Sequence, residues 1–170
     1  MVISCKTSTM FFYRKDMMCE FIKQGNEVVA VGDAPESEWS ETYNEIGVKY
    51  RQIYVERNGM NPVDDFKTLK SLKKVIGEEK PDKIFAYHSK SVVYGSIAAK
   101  MNGVDEMYAL IAGLGSIIRG TGFKNSIVKA VLKQEYKLAF KLCKAVITHN
   151  SEDRQVLLDE KFTSDASKVK

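Results

Sequence analysis

Hydrophobic and polar positions along this chain change period repeatedly, from about two to about 3.6 residues. Short apolar or alternating runs at 2–5, 27–31, 49–55, 83–87, 107–111 and 145–148 predict six β-strands. Between them, apolar residues recur at helical spacing. The first such segment, 10–24, carries Phe12, Met17, Met18, Phe21 and Ile22 and stops at Gly25. The others are 38–46, 64–79 (Phe66, Leu69, Leu72, Val75, Ile76), 92–101, 125–143 and 152–160. Gly32-Asp33-Ala34-Pro35 reads as a strand exit, and Pro62 suits the first turn of the helix that follows it.

Strands alternating with helices over a chain of this length predict an α/β fold, a mainly parallel sheet covered on both faces. Right-handed crossovers make it a Rossmann-like three-layer αβα domain, with 1–170 as one domain. In the order 3-2-1-4-5-6, ligands bind beyond the carboxyl ends of strands one and four, where the order reverses. The loops there are 6–9 and 88–90, with 112–120 beside them. They hold hydroxyls, a histidine, a lysine and glycines rather than simple turn residues.

Composition changes this picture little. At 44% hydrophobic and 28% charged residues over 170, the chain reads as globular. The longest strongly apolar stretch, 107–114, is too short to span a bilayer, and the first residues lack the pattern of a signal peptide. Cys5, Cys19 and Cys143 form no pair with metal-ligand spacing, so no metal site, disulfide framework or bound cofactor is expected, and the reducing cytoplasm is the expected setting. A formal charge of +4 suits an anionic partner; nothing points to nucleic acid.

The chemistry concentrates in the loops. Thr7, Ser8 and Thr9 precede the first predicted helix, either as an ordinary cap or as an anion site at its amino end. His88 can accept a proton from a hydroxyl, Lys90 can offset phosphate charge, and Ser89 lies between them; a merely structural role is the other reading. Tyr94 and Gly95 allow close helix–strand packing, with Tyr94 also able to line a cleft. Gly113 and Gly115 permit close approach of a sugar or phosphate to backbone N–H groups, or form a simple turn. Along 125–143, Lys129, Lys133, Lys137 and Lys141 fall on one side, edged by Tyr136 and Phe140, with Val128, Val131, Leu138 and Leu142 facing inward. That stripe is either a membrane-facing surface or a solvated face. Glu135 sits in the apolar arc and requires a partner or a route to solvent. Asn150 or Ser151 caps the last helix.

Several of these segments carry a resemblance. N-P-x-x-D-x-x-x-L-x-x-L (61–72), E-K-P-D before a strand (79–82), H-x-K-x-x-x-Y-G-x-x-A-A-K (88–100), A-G-L-G (112–115) and V-I-T-H-N-S-E-D (146–153) follow one another in order. Together they resemble the N-terminal domain of family-4, GT-B fold glycosyltransferases, above all bacterial enzymes of capsular and surface polysaccharide assembly. The resemblance implies that this half binds a glycan or polyprenyl-diphosphate-linked acceptor, while a C-terminal domain, in cis or in trans, holds most of a nucleotide-sugar donor. It implies a cleft-facing role for Arg14 and an acceptor or phosphate role for the three loops. It also implies work at the cytoplasmic side of a membrane, with peripheral contact. The first loop has Ser-Thr where many relatives have glycines, and no E-x7-E donor motif follows. Transfer by the isolated chain is therefore not expected. A second expectation is a non-catalytic scaffold subunit that brings a donor-binding partner to the membrane. A nicotinamide oxidoreductase would need G-x-G-x-x-G after strand one, where Lys6-Thr7-Ser8-Thr9 stands.

Overall fold

The computed structural model describes residues 1–57, 61–111, 123–163 and 165–170, with backbone alone for 123–128. Six strands, β1 (Val2–Ile3), β2 (Val29–Gly32), β3 (Lys49–Gln52), β4 (Lys83–Tyr87), β5 (Glu106–Ile111) and β6 (Ala145–Thr148), pair in the order β3-β2-β1-β4-β5-β6, every neighbour parallel. The helices are α1 (Thr7–Lys23), α2 (Glu36–Asn44), α3 (Pro62–Glu79), α4 (Ser89–Met101), α5 (Phe123–Leu142) and α6 (Ser151–Asp159). The order is the one expected, so the reversal falls between β1 and β4.

Alternation along the strands sorts two cores onto the two faces of the sheet. Val2, Ala30, Tyr87 and Leu110 meet Met10 and Met18 of α1 and Tyr43 of α2. Ile3, Val31, Ile84, Met107 and Ala109 meet Leu72 and Ile76 of α3, Val92 and Ala99 of α4, and Phe140 of α5. Burying each large side chain stabilises the fold by roughly 1.5–3 kcal/mol. At the sheet edge, Arg51 of β3 reaches Glu36, Glu78 and Glu79, tying that strand to α2 and α3.

Several helices begin before their first apolar repeat. α1 starts at Thr7, not at residue 10, so Thr7, Ser8 and Thr9 form its first turn rather than precede it. α4 starts at Ser89, three residues ahead of the expected 92. The first turn of a helix is satisfied by polar partners, and the apolar pattern cannot mark it. α3 shows this plainly: Asn61 accepts a hydrogen bond from the Val63 N–H, with Pro62 as the first helical residue. At α6 the cap is Asn150, which accepts from the Asp153 N–H.

The rotation of α5 is the principal correction. Tyr136 and Phe140 do not edge a lysine stripe; with Ala139 and Cys143 they are buried. Val131 and Leu138, expected inward, are exposed, Leu142 is half-buried, and Val128 lies outside the described side chains. Positions 136, 139, 140 and 143 also keep helical spacing, and the rings of Tyr136 and Phe140 bring more area. Tyr136 stacks on Phe140 at 5.3 Å and meets Phe162 edge-on at 6.0 Å. The lysines follow this rotation. Lys129 and Lys133 pair with Glu160 at 3.0 and 3.4 Å, Lys137 is half-buried, and Lys141 is exposed. Among the described residues, no helix is long and apolar enough to cross a membrane.

Candidate functional site

The carboxyl ends of β1, β4 and β5 open into a cavity of about 530 Å³. Lys6, Arg14, Arg57, His88 and Lys90 supply its polar rim, and Tyr87, Leu110 and Tyr136 its apolar side. The switch point thus places His88, Ser89, Lys90, Thr9 and Arg14 in one cavity. Thr7, by contrast, is buried beneath it, and Gly113 and Gly115 lie outside the described residues.

Thr7 is a structural hub. Its N–H donates to Asp33 Oδ1 at 2.8 Å, and its hydroxyl donates to the same oxygen at 2.9 Å. The Thr7 hydroxyl also accepts from the Ala34 N–H at 3.0 Å and lies 2.8 Å from Tyr50 Oη. Burial pushes the Tyr50 phenol up to about 12. The first N–H of α1 is therefore already held by a carboxylate, Asp33, where an anion was expected. Thr9 donates its hydroxyl to the Lys6 carbonyl, closing the same turn.

Arg14, two turns along α1, lies with its guanidinium 5.3 Å from the centre of the Tyr87 ring. Its Nε is buried and has no hydrogen-bond partner among the described residues. Two other cations of the cavity are paired, Lys90 with Asp65 at 2.7 Å and Arg57 with Asp33 at 3.7 Å. Arg14 is thus a cation held against the cavity without a carboxylate, a donor set suited to an oxyanion.

His88 has φ 69° and ψ 144°, a region costing a non-glycine residue roughly 1–3 kcal/mol. Its ring lies 4.6 Å from that of Tyr87, and Nδ1 is 3.1 Å from Ser4 Oγ, at the end of β1. Although the residue is exposed toward the cavity, the protein around its ring disfavours the charged form. Lost hydration contributes most, followed by Arg14, Arg57 and Lys6, so its pKa lies below the usual 6.5. A neutral imidazole so placed can accept a hydrogen bond from a hydroxyl. Ser89 is fixed by Tyr136, whose hydroxyl donates to Ser89 Oγ at 2.9 Å. Gly95 is buried over Ile3, Ala86 and Met107, but a methyl there would find ordinary contacts at 3.8 Å, so the packing does not demand glycine.

Tyr94 faces a neighbouring cavity of about 680 Å³ between α3, α4 and α5, which shares Arg57, Ser89 and Lys90 with the first. There Glu135 finds its partner, the Tyr94 hydroxyl at 3.5 Å. Burial, then Asp65, raises the Glu135 carboxyl above its ordinary range. Among the described side chains no cluster suits a metal ion. Sequence reasoning missed Ser4, Asp33, Arg57 and Asp65. Each lies at a strand end or in the turn or helix start beyond it, and that position on the sheet was the available signal.

Residues 6–150 match the family described as Glycosyl transferase 4-like. A Campylobacter jejuni N,N'-diacetylbacillosaminyl-diphospho-undecaprenol alpha-1,3-N-acetylgalactosaminyltransferase is 27% identical over 150 residues, 88% of this chain and 39% of that protein. Solved structures share the fold. A glycosyltransferase from Rickettsia africae superposes with a TM-score of 0.64 at 14% identity, over 99% of this chain and 41% of that one. MurG of Acinetobacter baumannii gives 0.54 at 14%, over 86% and 40%. A UDP-N-acetylglucosamine 2-epimerase described as putative, from Listeria monocytogenes, gives 0.67 at 12%, over 99% and 43%. The chain spans about two fifths of the length of each relative.

Proposed function

Because the chain belongs to the glycosyl transferase 4-like family, we propose that it is the acceptor-binding half of a glycosyltransferase. The enzyme would move a sugar from a nucleotide-sugar donor to a polyprenyl-diphosphate-linked or growing glycan. The observation that carries this reading is Arg14, which lines a cavity rimmed by cations and whose buried Nε has no hydrogen-bond partner among the described residues. A diphosphate supplies acceptor oxygens and charge without a proton of its own to place. The transferase from Campylobacter jejuni has a diphospho-undecaprenol substrate in its name. Lys90, Ser89 and Thr9 would complete the phosphate contacts, and Gly113 and Gly115 remain candidates for the same site. His88, neutral and at the mouth of the cavity, would orient the acceptor hydroxyl or take its proton. Most donor contacts would come from a second domain, in cis or in trans.

Membrane contact belongs to this reading. Phe12 and Tyr13 are 74% and 77% exposed, and Tyr13 also lines the cation-rimmed cavity. Aromatic rings at the mouth of a diphosphate site would meet the bilayer interface from which a lipid-linked acceptor is drawn. Among the described side chains of α5, Lys137 and Lys141 are the lysines that remain for anionic headgroups, since Lys129 and Lys133 pair with Glu160. The protein would then act at the cytoplasmic face.

Titration calorimetry of the chain with farnesyl diphosphate tests the anion site. Replacing Arg14→Met is expected to weaken binding roughly tenfold or more, the size of a lost hydrogen bond to a charged group. Unchanged affinity in the variant would remove the basis for the assignment.

A further inference from the structure

The second cavity, between α3, α4 and α5, differs from the first in chemistry. Its polar groups are of mixed character: from the three helices come the Lys90–Asp65 pair, the Tyr94 phenol and the Glu135 carboxyl, and Arg57 joins them from the segment after β3. Lys90 and Asp65 are only 16% and 17% exposed, so the pair forms the floor rather than the rim. Phe66, two-thirds exposed, and Val131, more than one-third exposed, stand on opposite walls. The volume falls within the roughly 300–1,000 Å³ usual for small-molecule sites.

Three occupants can be compared by what they ask of these groups. A phosphate brings only acceptors; Lys90 and Arg57 are already paired with Asp65 and Asp33, and the Asp65 and Glu135 carboxyls would repel it. A prenyl chain brings no polar atoms, and it would strip water from an ion pair and from Glu135 with nothing in return. A sugar hydroxyl both donates and accepts, so it can give to Asp65 and Glu135 and take from Lys90. The C–H face of a pyranose ring can also lie on Phe66 and Val131, which suits apolar walls above a polar floor.

We propose that this cavity is a carbohydrate subsite, in which Glu135, Asp65 and Tyr94 hold the hydroxyls of an acceptor sugar ring while the Arg14 cavity holds its diphosphate. The inference deepens the functional reading above and rests on it for the word acceptor. Ser89 and Lys90, shared by both cavities, form the passage along which one ligand would bridge them. Glu135 and Asp65 are then specificity-determining residues that read hydroxyls, and Arg14 is indifferent to the sugar.

The test follows backbone and tyrosine resonances of the labelled chain by NMR, with two separate probes. N-acetylglucosamine, at millimolar concentration, should produce saturable shifts at Tyr94 and along Val131–Glu135. Inorganic pyrophosphate should shift Arg14 and His88 instead. Glu135→Leu, which keeps the bulk and removes the acceptor, should weaken the saccharide roughly tenfold and leave pyrophosphate within twofold. Glu135→Gln serves as a second variant should the leucine protein lose its fold, with weakening in the same direction. Absence of saturable saccharide shifts at α4 and α5, or affinity unaltered by either variant, overturns the subsite. Pyrophosphate that fails to bind while the saccharide does would instead defeat the diphosphate reading and leave the subsite standing.

Discussion

Replacing Thr7→Val removes one oxygen and keeps the shape of the side chain, so the consequence can be worked from the hub it leaves. The Thr7 hydroxyl is 1% exposed at the residue level and meets the Ala34 N–H, Asp33 Oδ1 and Tyr50 Oη, all within 3.0 Å. Tyr50 keeps its bond to the Ala34 carbonyl at 2.7 Å, and Asp33 keeps the Thr7 N–H. The Ala34 N–H therefore loses its partner, at a cost of about 1–3 kcal/mol for an unsatisfied buried donor, and the bond to the carboxylate adds about 1 more. The expected loss is roughly 2–4 kcal/mol. Thr7→Ser keeps every polar contact and loses one methyl, about 1 kcal/mol. Gly32→Ala attacks the same hub from outside, because its added carbon would stand 2.3 Å from the Thr7 hydroxyl oxygen. In a Thr7→Ala background that oxygen is gone, and the Gly32→Ala penalty should shrink by more than 1 kcal/mol, a coupling that a double-mutant cycle reads directly. Urea denaturation with an unchanged m-value is the assay. A Thr7→Val loss below 1 kcal/mol, or one equal to that of Thr7→Ser, would refute the hub.

Two further outcomes are expected. The His88 imidazole should titrate below 6.5 by NMR, and Arg14→Met should raise its pKa, because Arg14 is the largest charge acting against protonation. A pKa that stays put in the variant would separate the two groups. Since the folded pKa is depressed, the contribution of His88 to stability is present above 6.5 and is lost as pH falls through the folded value. Cosedimentation with anionic vesicles should depend on Phe12 and Tyr13, with Phe12→Ser and Tyr13→Ser together abolishing most binding. Lys137→Glu with Lys141→Glu should weaken it less and in a salt-dependent way; vesicle binding unmoved by all four changes would rule out this membrane face.

What could be read in the chain beforehand follows from the range of the interactions involved. Strand order follows from the succession of strands and helices, and the two cores are legible because each strand writes its faces as alternation, as Ile84, Ala86 and Tyr87 do within one short run. Helix starts are not, since Asp33 reaches Thr7 from 26 residues away and leaves no local trace. The same distance hides the Lys90–Asp65 pair, 25 residues apart, so Asp65 goes unmarked and Lys90 reads as a charge free for phosphate. In α5 two apolar arcs compete at the same period. Sequence spacing cannot choose between Val131 with Leu138 and Tyr136 with Phe140, because the choice is made by Phe162 and by the space beside Ser89.

That choice has a functional consequence. With the rings of Tyr136 and Phe140 turned inward, Glu135 is carried from the apolar arc to the wall of the α3–α4–α5 cavity, facing Tyr94. Had Val131 and Leu138 been buried instead, the carboxyl would have needed a partner in the core, at several kcal/mol if unpaired. The rotation that sequence spacing left undetermined therefore gives the half-buried Glu135 a hydrogen-bond partner at the wall of a cavity. The strand-end cavity could be anticipated from topology alone, because a parallel sheet fixes where its loops converge. A cavity between helices depends on how each helix is turned, and it becomes visible only once packing has set that angle.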